Sequence, residues 1–296
     1  MSANPKLEVG IMARTFPRAT LSATLDSVLA HGVRCIQFNF ASAGLASLPE
    51  LIPDDRLGEI AAALRSRSIR VAAVSGTFNL VHPDPAVRRG GLLGLREVAR
   101  AAASLGTEVI TLCTGTCDPV DMWRAHPGNN LPEVWRLLRE SVAEALVVTE
   151  PHGVRLAFEP ELNNVVFSAR RARQLLEDIN SPRLGIVMDP ANLLPAGTLA
   201  RQTEVLNEAF ELLGPSIVLA HAKDLVADGD VGRQAAGTGL LDYDLYLRLL
   251  VASGYSGALI LHSLTEAQVP AAIRFLSRKL DPLHTSAGPD ASSRSP

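Results

Sequence analysis

The sequence of 296 residues has few cysteines, few aromatic side chains and no large excess of either charge. Its three cysteines, Cys35, Cys113 and Cys117, are an odd number in a large chain, which favours a reducing cytoplasm over a disulfide framework. No second Cys/His pair accompanies Cys113 and Cys117, so a zinc motif is not expected there. The 28 Lys and Arg against 31 Asp and Glu give a net charge of −3, which argues against nucleic-acid and membrane-surface partners.

Long apolar runs are also missing from the sequence. No segment reaches the ~18 uncharged apolar residues that a membrane-spanning helix requires. The N-terminal residues lack the apolar stretch behind a basic start that marks a signal peptide. Aromatic residues make up 4% of the chain and hydrophobic residues 47%. The core is therefore expected to consist of Ala, Leu, Val and Ile, which fill helices packed on parallel strands.

Short apolar or β-branched segments alternate with longer segments of helical periodicity along nearly the whole chain. The pattern predicts strands at 7–16, 35–40, 69–76, 108–115, 154–161, 184–190, 216–224 and 257–264. It predicts helices at 21–32, 55–68, 85–105, 132–150, 168–179, 199–213, 243–252 and 267–280.

Eight strand-then-helix units without a hairpin signal predict an α/β fold, namely a single (β/α)8 TIM barrel. The alternative is an open doubly wound sheet, but no G-x-G-x-x-G turn follows the first strand. No linker divides the chain, so residues 1–280 are expected to form the barrel. The composition of residues 281–296 is typical of a disordered C-terminal tail.

Four consecutive predicted strands end in a potential metal ligand: Glu159, Asp189, His221 and His262. Active sites of such barrels lie at the C-terminal ends of the strands, and a lone charge there is costly to bury unless it is paired or binds a metal ion. Each residue alone also fits a structural role, such as a helix cap or a buried core histidine. Together they predict one divalent metal site, with Mn²⁺ expected first and Zn²⁺, Fe²⁺ or Co²⁺ as alternatives.

The segment from Glu159 to His262 resembles the sugar phosphate isomerase/epimerase family of xylose isomerase-like TIM barrels. This family includes inosose dehydratases, hydroxypyruvate isomerases, ketose 3-epimerases and, more distantly, endonuclease IV. The resemblance implies that Glu159, Asp189 and His221 bind a divalent metal ion.

Other residues add to this resemblance. Arg233, followed by Gly237 and Gly239, resembles the Arg and G-x-G that ketose epimerases carry after the strand-seven histidine. The loop FNLVHPDPAVRRGG, with His82, resembles a substrate-facing loop of the family. The resemblance thus implies that Arg233 and His82 contact the substrate. Lys223 is a further candidate for steadying an anionic or polyhydroxylated substrate, and its alternative role is an exposed partner of Asp224.

The sequence departs from the family pattern at two positions. His262 stands where the family has a glutamate that both binds the metal and acts as an acid or base. Asn192 replaces a family histidine three residues after the strand-six Asp, and we expect it to contact the substrate. Either His262 is a ligand with Glu159 as the only carboxylate base, or His262 is itself the acid/base and the metal has three protein ligands.

The predicted chemistry follows from these residue types. A divalent ion that binds a carbonyl and a neighbouring hydroxyl group acidifies the adjacent C–H bond and stabilises the ene-diolate that forms. Glu159 is the candidate base, and Glu161 lies next on the same strand face. Arg14 and Asn39, near the ends of the first two strands, are weaker candidates for hydrogen bonds to the substrate.

These observations predict a divalent-metal-dependent isomerase or epimerase that acts through an ene-diolate on a small sugar, cyclitol or keto-acid. One alternative is a metal-dependent dehydratase or lyase of the same superfamily, and another is a non-catalytic sugar-binding barrel. A phosphodiesterase like endonuclease IV is not supported by seven scattered histidines and a net charge of −3. A homo-oligomer is compatible with the sequence.

Overall fold

The computed structural model describes residues 7–285, which contain eight parallel strands and one short antiparallel strand. The strands are β1 (Glu8–Met12), β2 (Cys35–Phe38), β3 (Arg70–Ser75), β4 (Val109–Cys113), β5 (Arg155–Glu159), β6 (Leu184–Met188), β7 (Ile217–Asp224), β8 (Gln234–Ala235) and β9 (Ala258–Leu261). Each long strand pairs in parallel with the next, and β9 pairs with both β7 and β1. The sheet is therefore closed, and the prediction of a single (β/α)8 TIM barrel is confirmed.

A helix follows each of the eight barrel strands. The helices are α1 (Leu21–Ala30), α2 (Asp54–Ser66), α3 (Pro85–Ala102), α4 (Pro132–Thr149), α5 (Ala169–Ile179), α6 (Gln202–Leu213), α7 (Tyr243–Ala252) and α8 (Val269–Thr285). The last helix continues five residues past the predicted end at residue 280. The rest of the expected tail, 286–296, lies outside the described residues. Among residues 7–285, no helix is both long and apolar enough to cross a membrane.

The two-residue strand β8 differs from the sequence-based prediction, which included no antiparallel pairing. It pairs with the end of β7 through Lys223 with Ala235 and Asp224 with Gln234. Two residues are too few to produce a periodic signal in the sequence. The pairing bends the chain after β7 back over the C-terminal end of the barrel.

The core has two layers, as the aliphatic composition indicates. Small and aliphatic side chains fill one cluster inside the barrel: Cys35, Ala73, Ala157, Val187, Leu219, Ala258 and Ile260. The larger cluster joins the outer faces of the strands to the helices, and it contains fully buried aromatic side chains such as Phe158 and Tyr246. Scarce aromatic residues are thus concentrated between sheet and helices, where there is room for a ring.

The strand ends position the candidate ligands on one side of the barrel. Glu159 is the last residue of β5 and pairs with Cys113 of β4. Asp189 directly follows β6, His221 lies within β7, and His262 directly follows β9. All four residues therefore lie at the C-terminal end of the barrel, on neighbouring strands.

Candidate metal and substrate site

The ligands predicted from the sequence converge in the structure. One donor atom each of Asp189, His221 and His262 lies within 4.8 Å of the other two. Glu159 borders this group, with its Oε2 atom 3.3 Å from Nδ1 of His221. Asp189 Oδ2 lies 3.8 Å from the same nitrogen. The two imidazole rings have centroids 5.2 Å apart.

Gln37 fixes the orientation and tautomer of His221. The side-chain amide nitrogen of Gln37 donates to the hydroxyl groups of Ser75 and Thr111, each at 3.1 Å. The carbonyl oxygen of Gln37 therefore faces His221 and accepts a hydrogen bond from its Nε2 at 2.8 Å. When the ring is neutral, as a metal ligand must be, its one proton is on Nε2 and the Nδ1 lone pair points toward Glu159 and Asp189. This is the arrangement of a metal-binding histidine supported by a second hydrogen bond.

The donor set fits a divalent ion. Of the seven buried side-chain atoms without a hydrogen-bond partner in the described chain, three belong to this group: Oδ2 of Asp189, Nδ1 of His221 and Nδ1 of His262. Buried polar atoms are normally hydrogen-bonded, so one such atom on each of three clustered residues indicates a shared ligand. In the neutral ring, the His221 lone pair faces two carboxylates, an arrangement that a bound cation would stabilise. Asp189, His221, His262 and Glu159 are accordingly the residues that could hold a metal ion.

Lys223 adds a buried positive charge beside the carboxylates. The residue is 3% exposed, and its Nζ lies 3.3 Å from Asp189 Oδ2 and 3.9 Å from Glu159 Oε1. Burial alone lowers the pKa of Lys223, but the two carboxylates reverse this effect and raise it above its ordinary value. The alternative role of an exposed partner for Asp224 is wrong, because Lys223 points inward and the Asp224 carboxylate binds backbone N–H groups instead.

The surroundings shift the pKa values of four ionisable groups at the site, namely Glu159, Asp189, Glu161 and His262. Burial would raise the pKa of Glu159, but the adjacent His221 and Lys223 hold it below its usual range. Burial raises the pKa of Asp189 to about 6, although Lys223 opposes the shift. Burial and the charge of Glu159 raise the pKa of Glu161 to about 8. Burial, with the charges of Lys223 and His221, lowers the pKa of His262 to about 3, so its ring is neutral.

A cavity of about 650 Å³ opens over these residues at the C-terminal end of the barrel. Of the residues suggested by the sequence, Glu159, Glu161, His221, His262, Lys223, Arg233, Arg14 and Asn39 line this cavity. Its wall is thus rich in charged groups and hydrogen-bond donors. Such a lining matches a small polar ligand better than an apolar one.

The loop that carries Arg233 is attached to the end of β7 through Asp224. The Asp224 carboxylate accepts hydrogen bonds of 3.0 Å from the backbone N–H groups of Gly237 and Leu241. Gly237 has a φ of +83°, which favours glycine. A Cβ atom at Gly239 would overlap the carboxylate of Asp224. The G-x-G sequence therefore allows this loop to approach the strand closely and hold Arg233 at the cavity.

Two residues that the sequence assigns to substrate binding do not line the cavity in the structure. His82 uses both ring nitrogens on backbone groups: Nδ1 accepts from Asp84 N at 3.0 Å, and Nε2 lies 3.2 Å from the carbonyl oxygen of Pro119. Asn192 is fully buried, and its Nδ2 donates to Glu159 Oε1 at 2.7 Å. The ring of His82 thus fixes a turn, while Asn192 orients the candidate base from behind.

The sequence reasoning missed Gln37 and the loop between β4 and α4. Gln37 interrupts the apolar run of the second strand, and the same rule that identified Glu159 could have found it. Met122 and Trp123 of the loop line the cavity, and Trp123 is 46% exposed. Side chains of Asn163 and Asn164 donate to the carbonyl oxygens of Trp123 and Met122, respectively, and hold this loop over the site. No sequence pattern indicated these contacts, because they connect two irregular loops.

Comparisons with known proteins agree with this architecture. The family model for the xylose isomerase-like TIM barrel matches residues 25–279. A segment of 107 residues is 30% identical to a ketose 3-epimerase from Arthrobacter globiformis, and it covers 36% of this chain and 32% of that protein. A segment of 196 residues is 28% identical to L-ribulose-5-phosphate 3-epimerase UlaE from Shigella flexneri serotype 5b (strain 8401), and it covers 66% of this chain and 64% of that protein.

The matched segments span about one third and just under two thirds of these two relatives. The crystal structure of a D-tagatose 3-epimerase-like protein has a TM-score of 0.76 with this chain at 15% identity, over 95% of this chain and 100% of that one. At this identity the similarity shows a common fold. Because the family model matches most of a chain that forms a closed eight-stranded parallel barrel, this protein belongs to the xylose isomerase-like TIM barrel family.

Proposed function

We propose that this protein is a divalent-metal-dependent sugar isomerase or epimerase that acts through an ene-diolate on a small sugar, cyclitol or keto-acid. The observation that carries this proposal is the clustering of Asp189, His221 and His262 beside Glu159, with a buried atom that lacks a hydrogen bond on each of the three. The sugar epimerases among its relatives support the same class of reaction.

Glu159 is the base in this proposal. A bound divalent ion would act as a Lewis acid that acidifies a C–H bond next to a carbonyl group. Asn192 holds Oε1 of Glu159, which leaves Oε2 beside Nδ1 of His221. The depressed pKa of Glu159 keeps its carboxylate ionised, which is the form that a base requires. The Lys223 ammonium, close to both carboxylates, stabilises negative charge that develops on the substrate oxygens.

The substrate is held by the polar wall of the cavity. Arg14, Asn39 and Arg233 line the cavity and offer hydrogen bonds to hydroxyl, carboxylate or phosphate oxygens. Trp123 supplies the one large aromatic surface of the lining and can cover an apolar face of a sugar ring. A volume of about 650 Å³ is within the range of small-molecule sites.

Three acidic residues line the cavity. Glu159 and Glu161 come from the end of β5, while Asp121 lies on the loop between β4 and α4, where its carboxylate accepts from Trp123 N and pairs with Arg124. The end of β9 supplies His262 instead of a second carboxylate. A base on one side of the substrate can remove a proton and return it on the same face, as aldose–ketose isomerisation requires. Epimerisation needs a second group on the opposite face, so this geometry favours isomerisation. A dehydratase, in which the same intermediate expels a β-hydroxyl group, also needs one base and is the second candidate.

A screen for solvent-deuterium exchange tests the proposal. The metal-loaded protein is incubated in D₂O with ketoses, inososes and hydroxypyruvate, and the products are analysed by NMR and mass spectrometry. We expect one carbon of one substrate to acquire deuterium. A product that has lost water would identify the dehydratase, while binding without exchange would identify a sugar-binding barrel.

The matched control is Glu159→Gln, which keeps the size of the side chain and removes the base. We expect exchange to fall by at least about 100-fold, the lower range for a positioned acid or base. Glu133→Gln, on the exposed first turn of α4, should leave exchange unchanged. Equal exchange in the native protein and Glu159→Gln would contradict the assignment of the base.

We also place this activity in the cytoplasm and without a nucleic-acid partner. Cys35, Cys113 and Cys117 are free thiols, which supports a reducing compartment. The net charge of −3 supports the absence of a phosphate-backbone partner.

A further inference from the structure

Hydrogen bonds orient the two carboxylates of the site. Oδ1 of Asp189 accepts from Ala191 N at 3.1 Å, and Oε1 of Glu159 accepts from Asn192 Nδ2 at 2.7 Å. The other oxygen of Asp189 lies 3.3 Å from Nζ of Lys223, and the other oxygen of Glu159 lies 3.3 Å from Nδ1 of His221.

Each of the two histidines of the site has a nitrogen atom that is free to bind a metal ion. Gln37 holds the proton of His221 on Nε2 and leaves Nδ1 as a free lone pair. Nδ1 of His262 is buried and has no hydrogen-bond partner among the described residues. One nitrogen of each histidine and one carboxylate oxygen of Asp189 lie within 4.8 Å of one another. These three residues would be the protein ligands, and Glu159 beside them would be the base, so a four-coordinate ion would keep one position for the substrate.

This donor set discriminates between metal ions. Mg²⁺ prefers six oxygen ligands in octahedral geometry, and Mn²⁺ also favours carboxylate and water oxygens. Zn²⁺ binds nitrogen donors readily and accepts four ligands in tetrahedral geometry. Affinity for nitrogen donors rises from Mn²⁺ through Fe²⁺ to Co²⁺, so replacing a carboxylate by imidazole widens the gap between these ions.

We propose that His262 determines the metal preference of this site and makes it select Zn²⁺ and Co²⁺ over Mn²⁺ and Mg²⁺. This inference rests on the metal site in the proposed function and specifies its cofactor. It reverses the order of preference that the sequence suggested, because the structure brings both imidazoles to the same site as Asp189. His262 is then a ligand, and Glu159 is left as the base.

Metal competition titrations test this proposal. The protein is stripped with a chelator, and Zn²⁺, Co²⁺, Mn²⁺ and Mg²⁺ are titrated separately against a chromophoric chelator. We expect Zn²⁺ and Co²⁺ to bind at least about 100-fold more tightly than Mn²⁺, in line with the preference of nitrogen donors. In His262→Glu the ratio of the Zn²⁺ and Mn²⁺ affinities should fall by at least about tenfold, because a third carboxylate favours Mn²⁺.

The control is His152→Ala, which removes a histidine at the end of the turn after α4. His152 is not among the cavity-lining residues of the described chain, so the ratio should stay at the native value. A second measurement does not depend on the folding of His262→Glu. Co²⁺ bound to the native protein should show the strong visible absorption of a low-coordinate ion with nitrogen ligands.

The outcomes separate this inference from the proposed function. Equal affinity for Mn²⁺ and Zn²⁺, an unchanged ratio in a folded His262→Glu, or the weak spectrum of six-coordinate Co²⁺ would overturn the role of His262. Each of these results still includes a bound metal ion and leaves the proposed reaction intact. A protein that binds none of the four ions would overturn the proposed function itself.

Discussion

At the scale of single residues, the state of His221 is set by a neutral side chain that never touches the metal position. Gln37 connects His221 to hydroxyl groups on two further strands, Ser75 on β3 and Thr111 on β4. This chain of hydrogen bonds fixes both the ring angle and the tautomer. Residues that hydrogen-bond to a metal ligand contribute to metal affinity although they do not touch the ion.

Substitution of Gln37 by leucine should weaken metal binding. Gln37→Leu removes the acceptor for Nε2 of His221, so the ring can turn or move its proton to Nδ1. We expect the affinity for Zn²⁺ to fall by about 10–100-fold, the range found for loss of such outer partners. Competition titration with a chromophoric chelator measures the change.

Gln37→Glu is the matched control for this prediction. A glutamate keeps an acceptor for Nε2 of His221 but loses the donation to Ser75 and Thr111. It should therefore retain more of the native affinity than the leucine variant. Equal loss of affinity in both variants would indicate that Gln37 acts through packing and not through the proton on His221.

The candidate ligands could be predicted from the sequence because each is a polar residue at the end of an apolar run. Glu159, Asp189 and His262 also lie at a strand end in the structure, whereas His221 follows an apolar run but lies within β7. The roles of other residues depend on where their atoms point. The sequence places Asn192 near the site, but only the structure shows that its amide donates to Glu159 and not to a ligand in the cavity.

At the scale of secondary-structure elements, all eight barrel strands and eight helices follow from hydrophobic periodicity. The ends of these elements do not follow from periodicity, because the predicted strands continue into turns. After β1 and β2 the chain enters 3₁₀ turns at Ala13–Thr15 and Phe40–Ala43, which the continuing apolar residues conceal. The apolar side chains of these turns, such as Ala13 and Phe40, are buried like those of the strands.

Helix α3 is attached to the segment before α2 by Glu97. Its carboxylate accepts from Ile52 N at 2.7 Å and from Nε and Nη2 of Arg100 at 3.0 and 2.8 Å. The Arg100 hydrogen bonds are the main reason that the pKa of Glu97 is lowered, and burial opposes this shift. Because the native pKa is below that of the unfolded chain, the carboxylate stabilises the fold above the unfolded pKa and loses this effect as the pH falls through the native pKa.

Glu97→Gln should therefore destabilise the protein in a pH-dependent manner. We expect a loss of about 1 kcal/mol in the free energy of unfolding at pH 7, the size of one charged hydrogen bond in a partly buried site. The difference from the native protein should shrink below about pH 4, where an unperturbed glutamate is protonated. Urea unfolding of both proteins from pH 7 to below about pH 4 measures this difference in the free energy of unfolding.

Glu59→Gln provides the comparison on a neighbouring helix. Glu59 pairs with Arg56 at 2.6 Å, but its side chain is 65% exposed. Its replacement should change the free energy of unfolding by less than about 0.5 kcal/mol. A loss in Glu97→Gln that stays constant from neutral to acid pH would show that the charge of Glu97 contributes nothing.

At the scale of the whole molecule, barrel closure creates the site. Strands β5, β6, β7 and β9 are neighbours around the barrel, and each contributes one candidate ligand. The sequence predicts this neighbourhood once the fold class is known, because strand order follows chain order. The distances between the donor atoms depend on the tilt and register of the strands, which periodicity does not specify.

Because four neighbouring strands share the ligands, a bound ion should stabilise the entire barrel against unfolding. The native site gathers two carboxylates and two imidazoles that separate in the unfolded chain, so the ion binds the folded state preferentially. At an ion concentration 100 times the dissociation constant, this linkage contributes about 2.7 kcal/mol. We expect chelation to lower Tm by several degrees, measured by calorimetry at constant pH. His221→Ala should abolish most of the difference between chelated and metal-loaded protein. An unchanged Tm on chelation of a protein shown to contain metal would mean that the ion does not connect these strands.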